Sequence, residues 1–278
     1  MESDEKFLHD LLEDIENERL VLPTLPEVAL RVRDAVEDEN ATAEQITAVV
    51  GQDAALSARL LQVANSPLYR ATSPIDNLQV AIARMGNEQV RNLVSSIVMQ
   101  QMFQATDEVL DIRFRQLWEH NVQVAAICQM IAASTEGLEK DQAMLAGLIH
   151  DIGVLPILKY AEEIPELLEN EAALDLLVAK LHPILGKMIL SNWNFPDSLV
   201  AVAAEHEYLQ RDPGTPPDYV DVVIVANLQS HIGSEHYLAD IDWSSVPAFT
   251  RLGITPEMDE VDIKENKEAI SAMQKMMT

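Results

Sequence analysis

The sequence predicts an all-α protein, and three observations carry that prediction. Good helix formers (Ala, Leu, Glu, Gln, Met) are frequent. Glycines number only nine in 278 residues, few against an average usage of about 7%, so tight turns are scarce. Apolar residues recur at helical spacing, and no long stretch settles into the alternation of a half-buried strand.

Each helix follows from local punctuation. Pro23 and Pro26 precede an amphipathic segment over 27–36, which the acidic run at 38–40 closes. Asp53 is a good N-cap for the next helix, in which Leu56, Leu60 and Val63 share one face. Asn65-Ser66-Pro67 ends it, because Pro67 cannot continue the ladder and Asn65 tolerates a left-handed turn. A helix over 76–85 stops at Gly86-Asn87, and one over 88–103 carries Val90, Leu93, Val94, Ile97 and Val98 at helical spacing. The polar stretch near residue 107 divides the chain into an N-terminal helical lobe, 1–106, and a second helical lobe, 107–278. Helices follow at 112–133, 140–150, 164–169, 172–193 and 196–209; residues 211–218 form a loop by composition. A mostly apolar helix over 219–232 and an amphipathic one over 257–276 complete the pattern.

Charge and cysteine usage narrow the function classes. A formal charge of −27 argues against a nucleic-acid backbone or an anionic membrane as partner. It also repels phosphorylated substrates unless a metal inverts the local field. Cys128 is alone and forms no internal disulfide, which fits a reducing compartment. The N-terminus lacks a basic then apolar leader. No uninterrupted apolar run approaches the roughly 18 residues of a membrane span. The expectation is a soluble cytoplasmic protein.

The chemistry concentrates in four of the seven histidines. His150 and Asp151 stand side by side in an apolar stretch, where neither serves packing. His120, His182 and His206 fall on other apolar segments, as if each came from a separate helix. A helical bundle builds an inward-facing metal site in this way, so these five residues are expected to converge on one pocket. A hydrogen-bonded His150–Asp151 pair at a helix end is the plainer alternative.

LPTLPEV, QDAALSARLLQVANSPLY and IDNLQVAIARMG, together with HDIG, HPILGKMIL, NWNFPDSLV and the EHE segment, resemble the HDOD domain proteins. These are bacterial relatives of the metal-dependent HD phosphohydrolases and of the HD-GYP cyclic-di-GMP phosphodiesterases. The resemblance runs over about residues 20–255 and implies an HD-like multi-helix bundle with an N-terminal helical lobe. It also implies a divalent metal (Mn, Fe, Zn or Ni) held by imidazole and carboxylate. His120, His150 and Asp151 match the family's first ligands, Asp151 doubling as the catalytic carboxylate. Asn227 stands where the last aspartate belongs. His182 and His206 resemble the second-metal ligands, with Glu205 in place of a paired histidine. Gln116 occupies a position where some bimetallic relatives carry glutamate. Val154 replaces a phosphate-holding lysine, and the GYP signature is absent.

Other prominent residues read structurally. His9, His231 and His236 are expected on the surface or in loops, Asp53 as a cap, and Trp118 and Trp193 in the core. The methionines of the C-terminal QKMMT read as a frayed end. Two functions follow from the resemblance. The first is a signalling or regulatory module with a partly degenerate metal site, acting through a protein partner or a phosphorylated small molecule. The second is a metal-dependent phosphohydrolase on a nucleotide, cyclic dinucleotide or phosphomonoester. The sequence fixes no oligomeric state.

Overall fold

The computed structural model describes residues 13, 23, 26–37, 42–65, 75–99, 102–103, 108–234 and 236–255. Among them there are helices and no strands. Five helices lead: α1 (Glu27–Glu37), α2 (Ala43–Val50), α3 (Ala54–Ala64), α4 (Leu78–Met85) and α5 (Asn87–Met99). Asp53 caps α3 by accepting from the Leu56 N–H at 2.9 Å, and the predicted face of Leu56, Leu60 and Val63 is buried. The α2 helix, not anticipated above, opens on a capping box in which Thr42 and Gln45 bond reciprocally.

Asn65 departs from expectation. Its backbone is right-handed, at φ −91°. Its side chain does the terminating instead: the amide donates to the Leu61 and Ile75 carbonyls and its oxygen accepts from the Ile75 N–H. That clamp fixes the return of the chain toward α4.

The larger bundle contains α6 (Glu108–Ala133), α7 (Lys140–Ile149), α8 (Val154–Glu162), α9 (Pro165–Leu168), α10 (Glu171–Asn192), α11 (Asp197–Glu205), α12 (Tyr219–Ser230) and α13 (Pro247–Leu252). Short 3-10 turns at Tyr237–Asp240 and Trp243–Ser245 lie between the last two. The α8 helix tolerates Pro156 because that residue sits in its first turn, where backbone N–H groups have no helical acceptor. The expected helix over 257–276 and the terminal methionines lie outside the described residues, as does His9.

α12 is the centre of this bundle. Val222, Val223, Ile224 and Val225 are all fully buried, so the helix is enclosed on every side, against α6, α11 and α13. Its N-terminus is anchored by charge. Asp221, buried, accepts from Arg251 through both oxygens at 3.0 Å, and Arg211 lies 3.6 Å away. α6 and α7 form the most extensive helix pair. They approach so closely that a Cβ on Gly147 would sit 2.6 Å from the Ala125 Cα. Trp118 and Trp193 are buried, Trp193 donating its indole N–H to the Pro23 carbonyl at 3.0 Å. One helical stretch, Lys140–Glu162, is long and apolar enough by composition to cross a membrane, though charged residues interrupt it, and most of it is buried within the fold.

Candidate metal centre

The centre forms where α6, α7, α10, α11 and α12 meet. His120 comes from the middle of α6, and His150 caps the C-terminus of α7. Asp151 follows in the turn before α8. His182 lies within α10, and His206 is the first residue beyond α11. The turn carrying Asp151 is pressed onto α10 at Gly153, where a Cβ would overlap the His182 carbonyl and lie 2.6 Å from the Gly186 nitrogen. Only glycine permits that approach, which sets Asp151 against His182. Asn121, fully buried, donates to the Leu148 carbonyl at 3.1 Å and so ties the helix of His120 to the last turn before His150.

Three imidazoles are oriented by their own backbone. Nδ1 of His150 lies 2.8 Å from the Gly147 carbonyl, Nδ1 of His182 lies 2.7 Å from Val178 O, and Nδ1 of His206 lies 3.0 Å from Val202 O. A carbonyl only accepts, so each Nδ1 carries the proton and donates. In the neutral ring, Nε2 then presents a lone pair.

All three Nε2 atoms face Asp151. Asp151 Oδ1 is 3.2 Å from His206 Nε2 and 3.5 Å from His182 Nε2. Its Oδ2 is 3.3 Å from His150 Nε2 and 3.9 Å from His120 Nε2. The carboxylate therefore bridges two histidine pairs.

The donor atoms fit a divalent cation. Two ligands about 2.1 Å from one metal, at tetrahedral or octahedral angles, lie about 3.0–3.4 Å apart. The triangle of Asp151 Oδ1, His182 Nε2 and His206 Nε2 has edges of 3.5, 3.2 and 3.2 Å. The two nitrogens at 3.2 Å would set lone pair against lone pair unless a proton or a cation lies between them. On the other side, His150 Nε2 is buried and has no hydrogen-bond partner among the described residues. Asn227 Oδ1, in the wall of the same cavity, is likewise buried and unpartnered. Such orphaned acceptors are costly in a core and are what a metal would satisfy.

Electrostatics follow from this crowding. Burial, reinforced by the neighbouring His150, pushes His120 down to about 4. Burial likewise lowers His150 to about 4, against the opposing pull of Asp151. Burial alone would raise Asp151, but His150, His182 and the bond from His206 outweigh it and hold the carboxyl well below its usual range. His206 feels the opposite balance. Burial lowers it, yet its bond to Asp151 and the Asp151 and Glu207 charges leave it raised. Lowered His120 and His150 beside an ionised Asp151 are in the protonation states that ligation requires, whereas His206 would have to release a proton to a metal.

The cluster opens into a cavity of about 600 Å³. Asp175, Val154 and Tyr237 line it along with Glu207, and no lysine or arginine does so among the described residues. Val154 is buried in the wall where the resemblance calls for a lysine.

Three sequence expectations need correction. Glu205 does not face the cluster; α11 ends there, and the carboxylate turns to Arg211 Nε at 2.6 Å. Glu207, two residues on, reaches the cavity instead, with Oε1 3.8 Å from His206 Nε2 and 3.9 Å from His182 Nε2. His231 and His236 lie at a helix end and in the following loop as expected, His236 exposed, but both also line the cavity. His231 stacks on His120 at a ring distance of 5.1 Å, and His236 stacks on His231 at 3.9 Å. No local pattern announces this, because His231 caps the end of α12 and His236 precedes a 3-10 turn. Gln116 is exposed and does not line the cavity.

The fold and this geometry define a histidine–aspartate helical bundle, and comparison with known proteins gives the family. Residues 22–209 match the HDOD domain, and the chain belongs to that family. Over its whole length it is 29% identical to a candidate metal-dependent phosphohydrolase of Shewanella amazonensis SB2B, whose crystal structure superposes with a TM-score of 0.85 and is covered completely. An HDOD domain protein of unknown function from Geobacter sulfurreducens shares the fold at 21% identity and a TM-score of 0.71, with 92% of this chain and 93% of that one covered. An uncharacterised protein of Treponema pallidum (strain Nichols) is 26% identical over 221 residues, 74% of this chain but 42% of that protein. The chain thus spans less than half the length of that curated relative.

Proposed function

We propose that this chain is a signalling module whose histidine–aspartate pocket holds a divalent metal while turning phosphate esters over very slowly or not at all. One observation carries the reading: ligand atoms at ligand spacing adjoin a cavity whose lining includes no lysine or arginine among the described residues. His120, His150 and Asp151 would hold one metal, and Asp151, His182 and His206 a second, with Glu207 and Asn227 beside them. Mn, Fe, Zn and Ni all suit such a nitrogen–oxygen set. When bound, a metal of this kind polarises phosphate and acidifies water.

The remaining residues supply less than hydrolysis needs. Asp151 orients the imidazoles and is the candidate catalytic carboxylate, and Glu207 is placed to accept a proton near His206. Asn227 contributes an amide oxygen without charge, and Val154 offers nothing to a phosphate oxygen. Asp175 and Glu207 repel an anionic substrate, and a missing charge-assisted contact in a buried site costs several kcal/mol of transition-state stabilisation. The pocket would then report metal or ligand occupancy to a regulatory protein partner or respond to a phosphorylated small molecule, in a reducing cytoplasm that suits the buried thiol of Cys128.

A working metal-dependent phosphohydrolase acting on a nucleotide, cyclic dinucleotide or phosphomonoester is the second reading, and the bridging position of Asp151 between two histidine pairs favours it. Elemental analysis of the purified chain, followed by a phosphodiesterase screen with added Mn or Fe, separates the two. Bound metal without turnover supports the module; robust turnover by the unmodified chain supports the enzyme.

A further inference from the structure

A second cavity, of about 160 Å³, shares no lining residue with the histidine cavity. Arg33 of α1, Arg91, Asn92 and Ser95 of α5, Leu145 of α7 and Asn194 in the α10–α11 loop are among its walls. Two guanidinium groups thus meet at one small space, in a chain carrying only 19 basic residues against 46 acidic ones. Arg33 is anchored by donating to the Trp193 carbonyl at 2.7 Å and to Asp34 at 3.1 and 3.3 Å. Arg91 approaches only Glu88 among the described residues, at 3.7 Å, beyond hydrogen-bond distance.

Two buried polar side chains point to a ligand independently of charge. Asn92 is 3% exposed and Ser95 7% exposed. Neither side chain has a hydrogen-bond partner in the protein among the described residues. Their polar atoms open onto the cavity instead of meeting a protein partner, so they are free to bond a ligand there.

We propose that this cavity binds the phosphate group of a phosphorylated small molecule. Arg91, whose nearest carboxylate among the described residues is beyond hydrogen-bond distance, supplies the charged fork for the phosphate oxygens, and Arg33, held by Asp34 and the Trp193 carbonyl, adds a fixed second guanidinium at the wall. The Asn92 amide and Ser95 hydroxyl add neutral donors. A cavity of about 150 Å³ is known to hold one benzene ring, so this one admits a phosphate head, with the rest of the molecule directed outward. The bound group would link α1 and α5 to the α10–α11 loop, whose flanking helices lead to His182 and His206. The site needs no metal and stands apart from the reading of the histidine pocket.

The test uses the full chain after EDTA treatment, so that a failed metal site leaves the result intact. Inorganic phosphate and malonate are each compared with sodium chloride at equal ionic strength, by thermal melting and calorimetric titration. Phosphate should raise the melting temperature beyond the chloride control. Arg91→Gln and Ser95→Ala should each weaken phosphate binding, the former tenfold or more. Asn92→Leu should abolish the phosphate response. No phosphate effect beyond chloride, or an effect unchanged in both Arg91→Gln and Ser95→Ala, overturns the site and leaves a water-filled cavity. Malonate binding as tightly as phosphate overturns the assignment of a phosphate group.

Discussion

Replacing Gly153 by alanine tests how the centre is built, because two principles predict opposite signs. Gly153 has ordinary right-handed backbone angles, φ −67° and ψ −13°. If space were open, alanine would stabilise the protein by about 0.4–1 kcal/mol through the unfolded chain. The structure leaves no such space. The new methyl would overlap the His182 carbonyl and sit 2.6 Å from the Gly186 nitrogen and 2.8 Å from the His182 carbonyl carbon. All three atoms are backbone, so no rotamer change relieves the contact. Either the turn of Asp151 or α10 must shift by roughly an ångström to restore an ordinary van der Waals separation. Overpacking of this kind costs about 1–3 kcal/mol. At about 2–4 °C per kcal/mol for a chain of this size class, the melting temperature should fall by roughly 2–12 °C. The same shift separates Asp151 from His182, now 3.5 Å apart, so Mn²⁺ affinity measured by calorimetry should fall as well. A Gly153→Ala protein that melts at or above the wild-type temperature and binds Mn²⁺ equally well would refute the close approach and the positioning role drawn from it.

Further outcomes follow from the same geometry. Asn227→Asp adds a carboxylate at a buried, unpartnered position and should tighten Mn²⁺ binding about tenfold or more. The metal-free variant should melt lower than wild type, since the new charge faces Asp151 uncompensated. Glu205→Ala should leave metal affinity unchanged and cost no more than about 1 kcal/mol, because it removes only a half-exposed pair with Arg211. Glu207→Ala should instead weaken metal binding, and equal affinities in the two variants would contradict the correction made above. Asp221→Asn leaves Arg251 and Arg211 facing a neutral amide and should cost about 3 kcal/mol in chemical denaturation; a loss below about 1 kcal/mol would show that the N-terminus of α12 is anchored otherwise.

How much was legible in the sequence depended on how local the signal is. The helical class, the cap at Asp53 and the buried face of α3 are local, and the structure reproduces them. His120, His150, Asp151, His182 and His206 were legible as candidates because polar residues in apolar segments have no packing reason to be there; the structure brings all five together. Glu205 was named from the resemblance alone, in place of a paired histidine; α11 ends at Glu205 and its carboxylate turns to Arg211, which the resemblance does not reveal. The cavity position of His231 and His236 was also missed. His231 reaches His120 from a helix end and His236 stacks on His231 from the following loop, and stacking across elements leaves no trace in spacing. Asn65 shows a third limit: its composition marked a helix end correctly, but its side-chain bonds to Ile75, rather than a left-handed backbone, perform the task.

The central claim is that the histidine–aspartate pocket binds metal without efficient hydrolysis, and metal content measured beside activity tests it most directly. Wild-type protein and a His150→Ala/His206→Ala variant would be produced with supplied Mn or Fe, analysed for bound elements, and assayed on a phosphodiester in the same preparation. The account predicts bound metal in the wild type, its loss in the variant, and turnover at or near background in both. A wild type that carries no metal under either supply would contradict the ligand assignment. Rapid turnover that disappears in the variant would make the chain a working phosphohydrolase.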